Sequence, residues 1–196
     1  MKIDKTRWQE AQHLELKHHK FSNDMISTFD YVYNNMFRLL NVDKNSLKDK
    51  KILEIGPAFF PALCYINCKS KFVIEPMFDS FSKEVKNYYA LNEINVTTKI
   101  IEDTDTYSLD FYDEIWLFNV LAHVVDPIDI IEKCKLSSNV VRFFEPINTG
   151  TDICHPHTFD LEFFKKNFDH DCVNLYSGKT IQNFHDADCA FGTFIR

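Results

Sequence analysis

The sequence predicts an α/β protein whose central sheet is mostly parallel and doubly wound, with helices on both faces. From Lys51 onward, short apolar runs alternate with segments of helical spacing, which is typical of strands joined by helical crossovers. The apolar runs are continuous, as expected for parallel strands that are buried on both sides. The last two runs have no helical segment between them, so we expect them to form a C-terminal antiparallel hairpin.

The first 50 residues are predicted to form two helices that cap a core of residues 51–196, the whole chain making one domain. Both segments place apolar residues at intervals of three and four, which indicates amphipathic helices. We expect these helices to pack against an edge of the sheet or to cover a site. The first helix has Thr6 as its cap and runs through His19, and the second starts at Ser22 or Asn23 and ends at Leu39 or Leu40.

Seven strands and four helices are predicted in the core, from apolar run length and the positions of turn residues. The strands span residues 51–55, 72–75, 97–101, 114–119, 139–144, 172–176 and 189–195. The helices span residues 57–66, 79–91, 127–135 and 159–168. A polar segment that contains Gly178, Asn183 and Asp186 joins the last two strands.

The composition excludes several classes of protein. A formal net charge of -7 argues against a general binder of the nucleic-acid backbone, which requires clustered Lys and Arg. No apolar stretch approaches the roughly 20 residues of a membrane span, and the first 20 residues lack the apolar core of a signal peptide. The six cysteines lack a regular spacing, so we expect reduced thiols and a cytoplasmic protein. The oligomeric state stays open.

The strand-turn-strand segment 52–76 carries the clearest sign of a ligand. Gly56 follows the first predicted strand, and the second strand ends on Glu75. A glycine turn lets a ligand approach the backbone, and a carboxylate about 20 residues further on can accept hydrogen bonds from ribose hydroxyls. The segment therefore predicts a nucleoside-binding site.

Together with the terminal hairpin, this segment resembles the class I S-adenosylmethionine-dependent methyltransferases, a Rossmann-like family, over residues 51–196. The segment Tyr112 to Pro127, YDEIWLFNVLAHVVDP, is similar to the fourth-strand segment of that family, and the Glu145-Pro146 pair also fits. The resemblance implies S-adenosylmethionine as cofactor and a small molecule or metabolite as methyl acceptor.

The resemblance also implies cofactor contacts from nine residues at the carboxyl ends of strands, where open α/β sheets bind ligands. They are Glu54, Gly56 and Ala58 on the methionine side, Glu75 at the ribose, Met77 against adenine, Glu102 and Asp103 near the adenine amino group, and Asn119 and Val120 beside the sulfonium and the acceptor.

The turn departs from the family pattern of three glycines at alternate positions, since this chain has Gly56, Ala58 and Phe60 there. Ala58 fits a tight turn if its φ stays negative. Phe60 has two possible orientations: toward the helix-sheet interface, which leaves room for the cofactor, or into the pocket, which would block it.

Three histidines are the candidate catalytic residues. Methyl transfer from a sulfonium needs positioning and exclusion of water, and it needs a base only when the acceptor must lose a proton. His155 and His157 lie in the loop before the helix 159–168, in a His-x-His-x-Phe element similar to one in some methyltransferases of small molecules and sugars. The alternative is that these histidines or Thr158 cap that helix. His123 could reach the cofactor or be buried against the sheet.

Two rival functions and a metal site are also weighed. A non-catalytic domain of the same fold, which has lost cofactor binding through Ala58 and Phe60, is the main alternative. A nicotinamide-dependent oxidoreductase is disfavoured because the chain lacks Gly-x-Gly-x-x-Gly and has the terminal hairpin. Cys154, His155 and His157 are close in sequence, but structural zinc sites use two groups of paired ligands, so we predict no metal site.

Overall fold

The computed structural model describes residues 2–18, 21–104, 111–177 and 187–196. Its seven-stranded sheet has the order β3-β2-β1-β4-β5-β7-β6, with β7 antiparallel to β5 and β6 and the other neighbours parallel. The strands are β1 (Lys51–Ile55), β2 (Ser70–Ile74), β3 (Ile94–Thr97), β4 (Glu114–Phe118), β5 (Val140–Pro146), β6 (Val173–Tyr176) and β7 (Cys189–Ile195). The predicted fold class is confirmed. The polar segment with Gly178, Asn183 and Asp186 lies outside the described residues.

Helices cover both faces of this sheet. Strand β4 shows why: Ile115 and Leu117 pack on one face, Trp116 and Phe118 pack on the other, and all four are buried. A strand with apolar side chains on both faces requires a helical layer on each side. The helices are α1 (Lys5–His18), α2 (Asn23–Leu39), α3 (Lys83–Leu91), α4 (Pro127–Ser137) and α5 (Leu161–Asn167).

The predicted helix over residues 57–66 is wrong. Only Ala62–Tyr65 is helical, as a short 3-10 helix, and the residues before it form an irregular turn. Pro61 explains the difference, because proline disfavours helical geometry in the residue before it and has no N–H to donate. Its ψ of 135° is extended, so a helix can begin only after it.

The third strand lies earlier than predicted, at Ile94–Thr97 instead of 97–101. Helix α3 ends at Leu91, and Glu93 takes a left-handed φ of 57°, which turns the chain directly into the strand. Ile94 and Val96 then pack against the core beside β2. Residues 101–103, predicted as strand end and loop, form a 3-10 helix instead.

Two helix caps also differ from the prediction. Asp4, not Thr6, caps α1: its carboxylate accepts from the N–H of Arg7 at 2.9 Å. Asp160 caps α5 by accepting from the N–H of Phe163 at 2.8 Å. Thr158 and the loop histidines therefore do not cap that helix, and the histidines remain available for another role.

Two further observations bear on environment. Within the described ranges, no helix combines the length and the apolar character needed to cross a bilayer. All six cysteines lie in these ranges, and each is a free thiol.

Candidate functional site

A cavity of about 220 Å³ opens at the carboxyl ends of β1, β2 and β4, beneath helix α1. We call it the first cavity. Of the nine residues predicted to contact a cofactor, seven line it: Gly56, Ala58, Glu75, Met77, Glu102, Asn119 and Val120. The turn after β1 and the acid after β2 are thus brought to one site, as expected for the switch region of an open α/β sheet.

Gly56 is required at the start of the turn for two reasons. Its φ is +61°, in the left-handed region that favours glycine. A Cβ at this position would also lie 2.5 Å from Cγ2 of Val120, closer than real Cβ atoms approach a neighbour. Gly56 therefore lets the turn pass directly against the chain that leaves β4.

Ala58 also has a left-handed φ, of 51°, so the condition that its φ stays negative is not met. Two buried tyrosines help to hold the turn in this geometry. The hydroxyl of Tyr89 donates to the carbonyl oxygen of Ala58, and that of Tyr33 donates to the carbonyl oxygen of Phe60 at 2.7 Å. Side-chain hydrogen bonds here stabilise a turn in which the second and third glycines are replaced.

Phe60 points away from the first cavity. Its ring stacks on Phe29 at 4.5 Å and on Phe21 at 5.2 Å between centroids, and its side chain is buried. Phe59 lines the cavity instead and packs edge-on against Phe81 at 4.8 Å. The third glycine position of the turn is therefore filled by a core side chain, and the cavity beside it stays open.

Glu54 lies beneath the turn and is not among the residues that line the first cavity. Its two carboxylate oxygens accept from the N–H groups of Ala62 and Leu63 at 3.0 and 3.1 Å. Burial raises the pKa of Glu54 to about 8, although these two hydrogen bonds favour the charged form. Here Glu54 acts as the cap that begins the 3-10 helix Ala62–Tyr65.

Glu75 lines the first cavity and also braces its wall. One carboxylate oxygen accepts from the N–H of Ala58 and the other from the N–H of Met77, both at 3.0 Å. A carboxylate oxygen can accept more than one hydrogen bond, so bonds to the backbone and to a ligand are compatible at this group. The side chain is only 4% exposed, which makes a charge-assisted hydrogen bond to a ligand worth more than it would be in water.

The two acids after β3 point in different directions. Glu102 lines the first cavity, and its carboxylate accepts from the N–H of Val125 at 2.6 Å. Asp103 lies at the surface and pairs with Lys5 of α1 at 2.9 Å. Asp103 therefore links α1 to the core and does not line the cavity.

The chain that leaves β4 is held by Glu145, a residue of β5 that the sequence placed only as part of a family motif. Its buried carboxylate accepts from the N–H of Val120 at 2.9 Å and from that of Leu121 at 3.2 Å. Burial raises the pKa of Glu145 to about 8. Asn119 adopts a φ of 54° in this bend and donates its N–H to the carbonyl oxygen of Phe144 at 2.9 Å.

A second cavity, of about 190 Å³, adjoins the first. Asn119 and His155 line both cavities, so the two spaces meet at these residues. The remaining lining residues of the second cavity are Ala122, Pro146, Thr149, Gly150, Asp152, His157 and Phe159. Most of them come from the loop after β5.

The three candidate histidines have different surroundings. The Nδ1 of His155 lies 3.0 and 3.1 Å from the carboxylate oxygens of Asp152. The ring of His123 is 4.6 Å from that of His155, centroid to centroid. His157 is buried, its Nε2–H donates to the carbonyl oxygen of Val124 at 2.8 Å, and burial lowers its pKa. His155 and His123 thus lie together at the first cavity, whereas His157 is tied to the backbone.

Helix α1 covers the site with residues that the sequence did not single out as ligand contacts. Trp8, Gln12 and Glu15 line the first cavity. The side chains of Trp8 and Gln12 donate to the carbonyl oxygen of His123 at 2.8 and 3.3 Å. This position of α1 agrees with the expectation that the N-terminal helices cover a site. In the sequence, the available signal for it was Trp8, an apolar residue in a mostly polar helix.

Glu15, His123 and His155 form a cluster that sequence spacing did not predict. One potential ligand atom from each lies within 4.8 Å of the other two. The set considered from the sequence, Cys154, His155 and His157, shares only His155 with this cluster.

No model of a protein family matches the chain, and no curated protein matches its sequence. Solved structures do resemble it. The N-methyltransferase NodS from Bradyrhizobium japonicum WM9, in complex with S-adenosyl-l-homocysteine, superposes with a TM-score of 0.67 at 16% identity, over 97% of this chain and 98% of that chain.

Two other structures are similar across nearly the whole chain. The N-terminal domain of EvdMO1, solved in the presence of S-adenosyl-l-homocysteine and D-fucose, has a TM-score of 0.58 at 12% identity, covering 100% of this chain and 97% of that one. Magnesium protoporphyrin IX methyltransferase (ChlM) from Synechocystis PCC 6803, with bound S-adenosylmethionine, has a TM-score of 0.57 at 9% identity, covering 97% and 90%. The chain therefore has the class I methyltransferase fold.

Proposed function

We propose that this protein is an S-adenosylmethionine-dependent methyltransferase that acts on a small molecule or metabolite. The observation that carries the proposal is the pair of adjoining cavities at the carboxyl ends of the strands. The first is lined by Gly56 and Glu75, and it meets the second at Asn119 and His155. A methyl donor in the first cavity would present its reactive end toward an acceptor in the second.

The residues of the first cavity fit S-adenosylmethionine. Gly56 gives backbone access at the turn, and the buried carboxylate of Glu75 is the proposed acceptor for the ribose hydroxyls, which its burial and its position at the cavity support. Met77 supplies an apolar contact for adenine, with Glu102 at the adenine edge of the same cavity. Asn119 and Val120 are the proposed neighbours of the sulfonium. Glu54 supports the turn from below in this scheme, and Asp103 orients α1.

Methyl transfer requires little of the protein beyond positioning the donor and the acceptor. When bound, S-adenosylmethionine supplies a methyl group on a positively charged sulfur, which is already an excellent leaving group. The chain excludes water by placing Trp8 and Gln12 of α1 over the cavity, held through their hydrogen bonds to the carbonyl oxygen of His123. The bend at Asn119, fixed by Glu145, determines where donor and acceptor meet.

His155 is the proposed base when the acceptor carries a hydroxyl. Asp152 engages its Nδ1, so Nε2 is the nitrogen left to accept a proton. His123 lies beside it and lines the first cavity. His157 is the weakest of the three candidates, because its Nε2–H is committed to the carbonyl oxygen of Val124.

Two observations support a small-molecule acceptor: the size of the second cavity and the nature of the similar solved structures. The similar structures include a magnesium protoporphyrin IX methyltransferase and a domain solved with D-fucose. The six free thiols are typical of a reducing compartment, so we propose that the protein acts in the cytoplasm. We also propose that the two N-terminal helices and the core form one functional domain.

Calorimetric titration with S-adenosylmethionine and S-adenosylhomocysteine tests the proposal. We expect saturable binding of one ligand per chain, followed by methyl transfer from labelled cofactor to members of a panel of hydroxylated and amine-bearing small molecules. Absence of binding at millimolar ligand would contradict the proposal and favour a non-catalytic domain of the same fold. The orientation of Phe60 removes one physical argument for that alternative.

A further inference from the structure

We propose that Glu15, His123 and His155 form a binding site for a divalent transition-metal ion, with Zn²⁺ as the reference ion. Three separate elements supply the ligands: α1, the 3-10 helix Leu121–His123 and the loop after β5. One ligand atom from each lies within 4.8 Å of the others. In a tetrahedral zinc site, neighbouring ligand atoms are about 3.4 Å apart, so small side-chain rotations bring the three to bonding distance.

Asp152 supports the assignment independently of that cluster. Its carboxylate lies 3.0 Å from Nδ1 of His155 and also accepts the backbone N–H of the same residue at 2.7 Å. Histidines that bind metals usually donate their other ring N–H to a carboxylate or carbonyl oxygen, which fixes the tautomer and the ring orientation. Here Asp152 plays that part, and Nε2 of His155 is the nitrogen presented to an ion.

Helix α1 is also fixed at the point where it must provide a ligand. Trp8 and Gln12 donate to the carbonyl oxygen of His123, and Arg7 donates to the carbonyl oxygen of Asp152 at 2.9 Å. These bonds connect the helix that carries Glu15 to the two segments that carry the histidines. These backbone contacts therefore help to hold the three proposed ligands at one place.

The ligand set favours a particular class of ion. Two imidazoles and one carboxylate suit Zn²⁺ and neighbouring first-row ions, whereas Mg²⁺ and Ca²⁺ prefer oxygen ligands. Three protein ligands are also the number found in catalytic zinc sites, where the fourth position accepts water or substrate. The site is thus of the type that binds an exogenous oxygen.

Its location assigns that oxygen to the methyl acceptor, a step that rests on the proposed function. His155 lines both cavities, and Asn119, the proposed neighbour of the sulfonium, lines both as well. An ion here would contact a hydroxyl or carboxylate oxygen of an acceptor in the second cavity. With an ion bound, His155 would be a ligand and not a base, and the ion would lower the pKa of a coordinated hydroxyl so that its proton passes to solvent water.

Metal binding is tested on the full chain after treatment with a chelator, without cofactor. We expect Zn²⁺ to bind with one ion per chain by calorimetry, and Co²⁺ to give visible absorption bands of a four- or five-coordinate site. Glu15→Gln, His123→Gln and His155→Gln should each weaken binding at least about 10-fold, and Asp152→Asn about 10- to 100-fold. Glu10→Gln in the exposed part of α1 and His170→Gln at the surface are matched controls that should leave binding unchanged.

Hydrogen exchange provides a second readout that does not depend on activity. Because Glu15 belongs to α1 and both histidines belong to the core, Zn²⁺ should slow exchange of the α1 amides in the native protein and not in Glu15→Gln. Absence of binding, binding that survives all three ligand substitutions, or a Co²⁺ thiolate band from a cysteine would each overturn the site. S-adenosylhomocysteine binding is measured in the same chelated protein. If S-adenosylhomocysteine binds and Zn²⁺ does not, the metal site is overturned and the proposed function is not.

Discussion

The turn after β1 and the loop after β5 lie on two sides of the same site and are stabilised in different ways. The turn is held by buried groups: Glu54, which is 1% exposed, and the hydroxyls of Tyr33 and Tyr89. The loop is held at His155 by Asp152, whose side chain is 64% exposed. Hydrogen bonds between buried groups are costly to leave unmade, whereas those of exposed groups are replaced by water.

This difference indicates which half of the site tolerates substitution of its residues. The wall of the first cavity depends on a few contacts that must all be present, so it suits a ligand of constant shape. The wall of the second cavity includes the exposed residues Thr149, Gly150 and Asp152, whose replacement should cost little stability.

The largest effect should come from the glycines, one in each region. Gly56→Ala combines a left-handed φ with a contact of 2.5 Å to Val120, so we expect a loss of about 3 kcal/mol in the free energy of unfolding. Gly150→Ala also has a left-handed φ, of 74°, but nothing lies within 4 Å of its Cβ position, so we expect about 1 kcal/mol. Urea unfolding of both variants measures the difference.

A double variant identifies the source of the Gly56 effect. Val120→Ala removes the Cγ2 atom that the new Cβ would meet, so Gly56→Ala should cost less in that background. Equal costs for Gly56→Ala and Gly150→Ala would mean that close packing does not distinguish the two regions.

The next effect is on ligand affinity and compares two acids, one from each cavity. Glu75→Ala should weaken binding of S-adenosylhomocysteine about 10- to 100-fold, corresponding to about 1.5 to 3 kcal/mol for hydrogen bonds to a charged acceptor. Asp152→Ala should change that affinity less than about 3-fold, because Asp152 lines only the second cavity. Calorimetry measures both, with thermal unfolding of Glu75→Gln as a check that the fold survives.

A third effect is the pH dependence of stability on the buried side. Burial raises the pKa of Glu54 to about 8, so the folded state keeps its proton while the unfolded state loses it above about pH 4.5. This contribution is therefore present at low pH and is lost as the pH rises toward 8.

Glu54→Gln should flatten that slope. Between pH 5 and pH 8, the free energy of unfolding of the native protein should fall relative to that of the variant by about 1 kcal/mol or more, since one pKa unit corresponds to about 1.4 kcal/mol. Glu10→Gln, on the exposed part of α1, is the control and should follow the native curve. Parallel curves for all three proteins would show that Glu54 ionises normally.

The smallest effect tests strain within the turn itself. Ala58 has a left-handed φ, so Ala58→Gly should stabilise the protein by about 0.5 kcal/mol, the relief of strain being partly offset by the greater freedom of glycine in the unfolded chain. Ala90→Gly, at an exposed position within α3, should instead destabilise it by about 0.5 to 1 kcal/mol. Thermal unfolding compares them, and a destabilising Ala58→Gly would show that the turn is not strained.

The features that were predictable from the sequence depend on neighbours along the chain. Continuous apolar runs located β1 and β4, because a strand buried on both faces must be largely apolar. The absence of a helical segment between the last two runs located the hairpin strands. The spacing of Gly56 and Glu75 located the first cavity. The failures also have local causes: Pro61 prevents a helix that the apolar spacing favoured, and the φ of Glu93 starts β3 early.

Only packing between distant segments could decide the rest of the site. The sequence could not show whether Phe60 faces the core, that Glu54 caps the residues after the turn, or that Glu145 holds the bend after β4. Each depends on which of several faces a side chain occupies once the helices are packed.

The sequence by itself determined the succession of the seven strands along the chain, the position of the turn and the acid that follows β2, because backbone periodicity and burial act over a few residues. The tertiary structure alone decided the approach of Gly56 to Val120 and the meeting of Glu15, His123 and His155. Those contacts join segments that are far apart in the chain. The first arises because β1 and β4 are neighbours in the sheet, and the second because helix α1 packs across the ends of the strands.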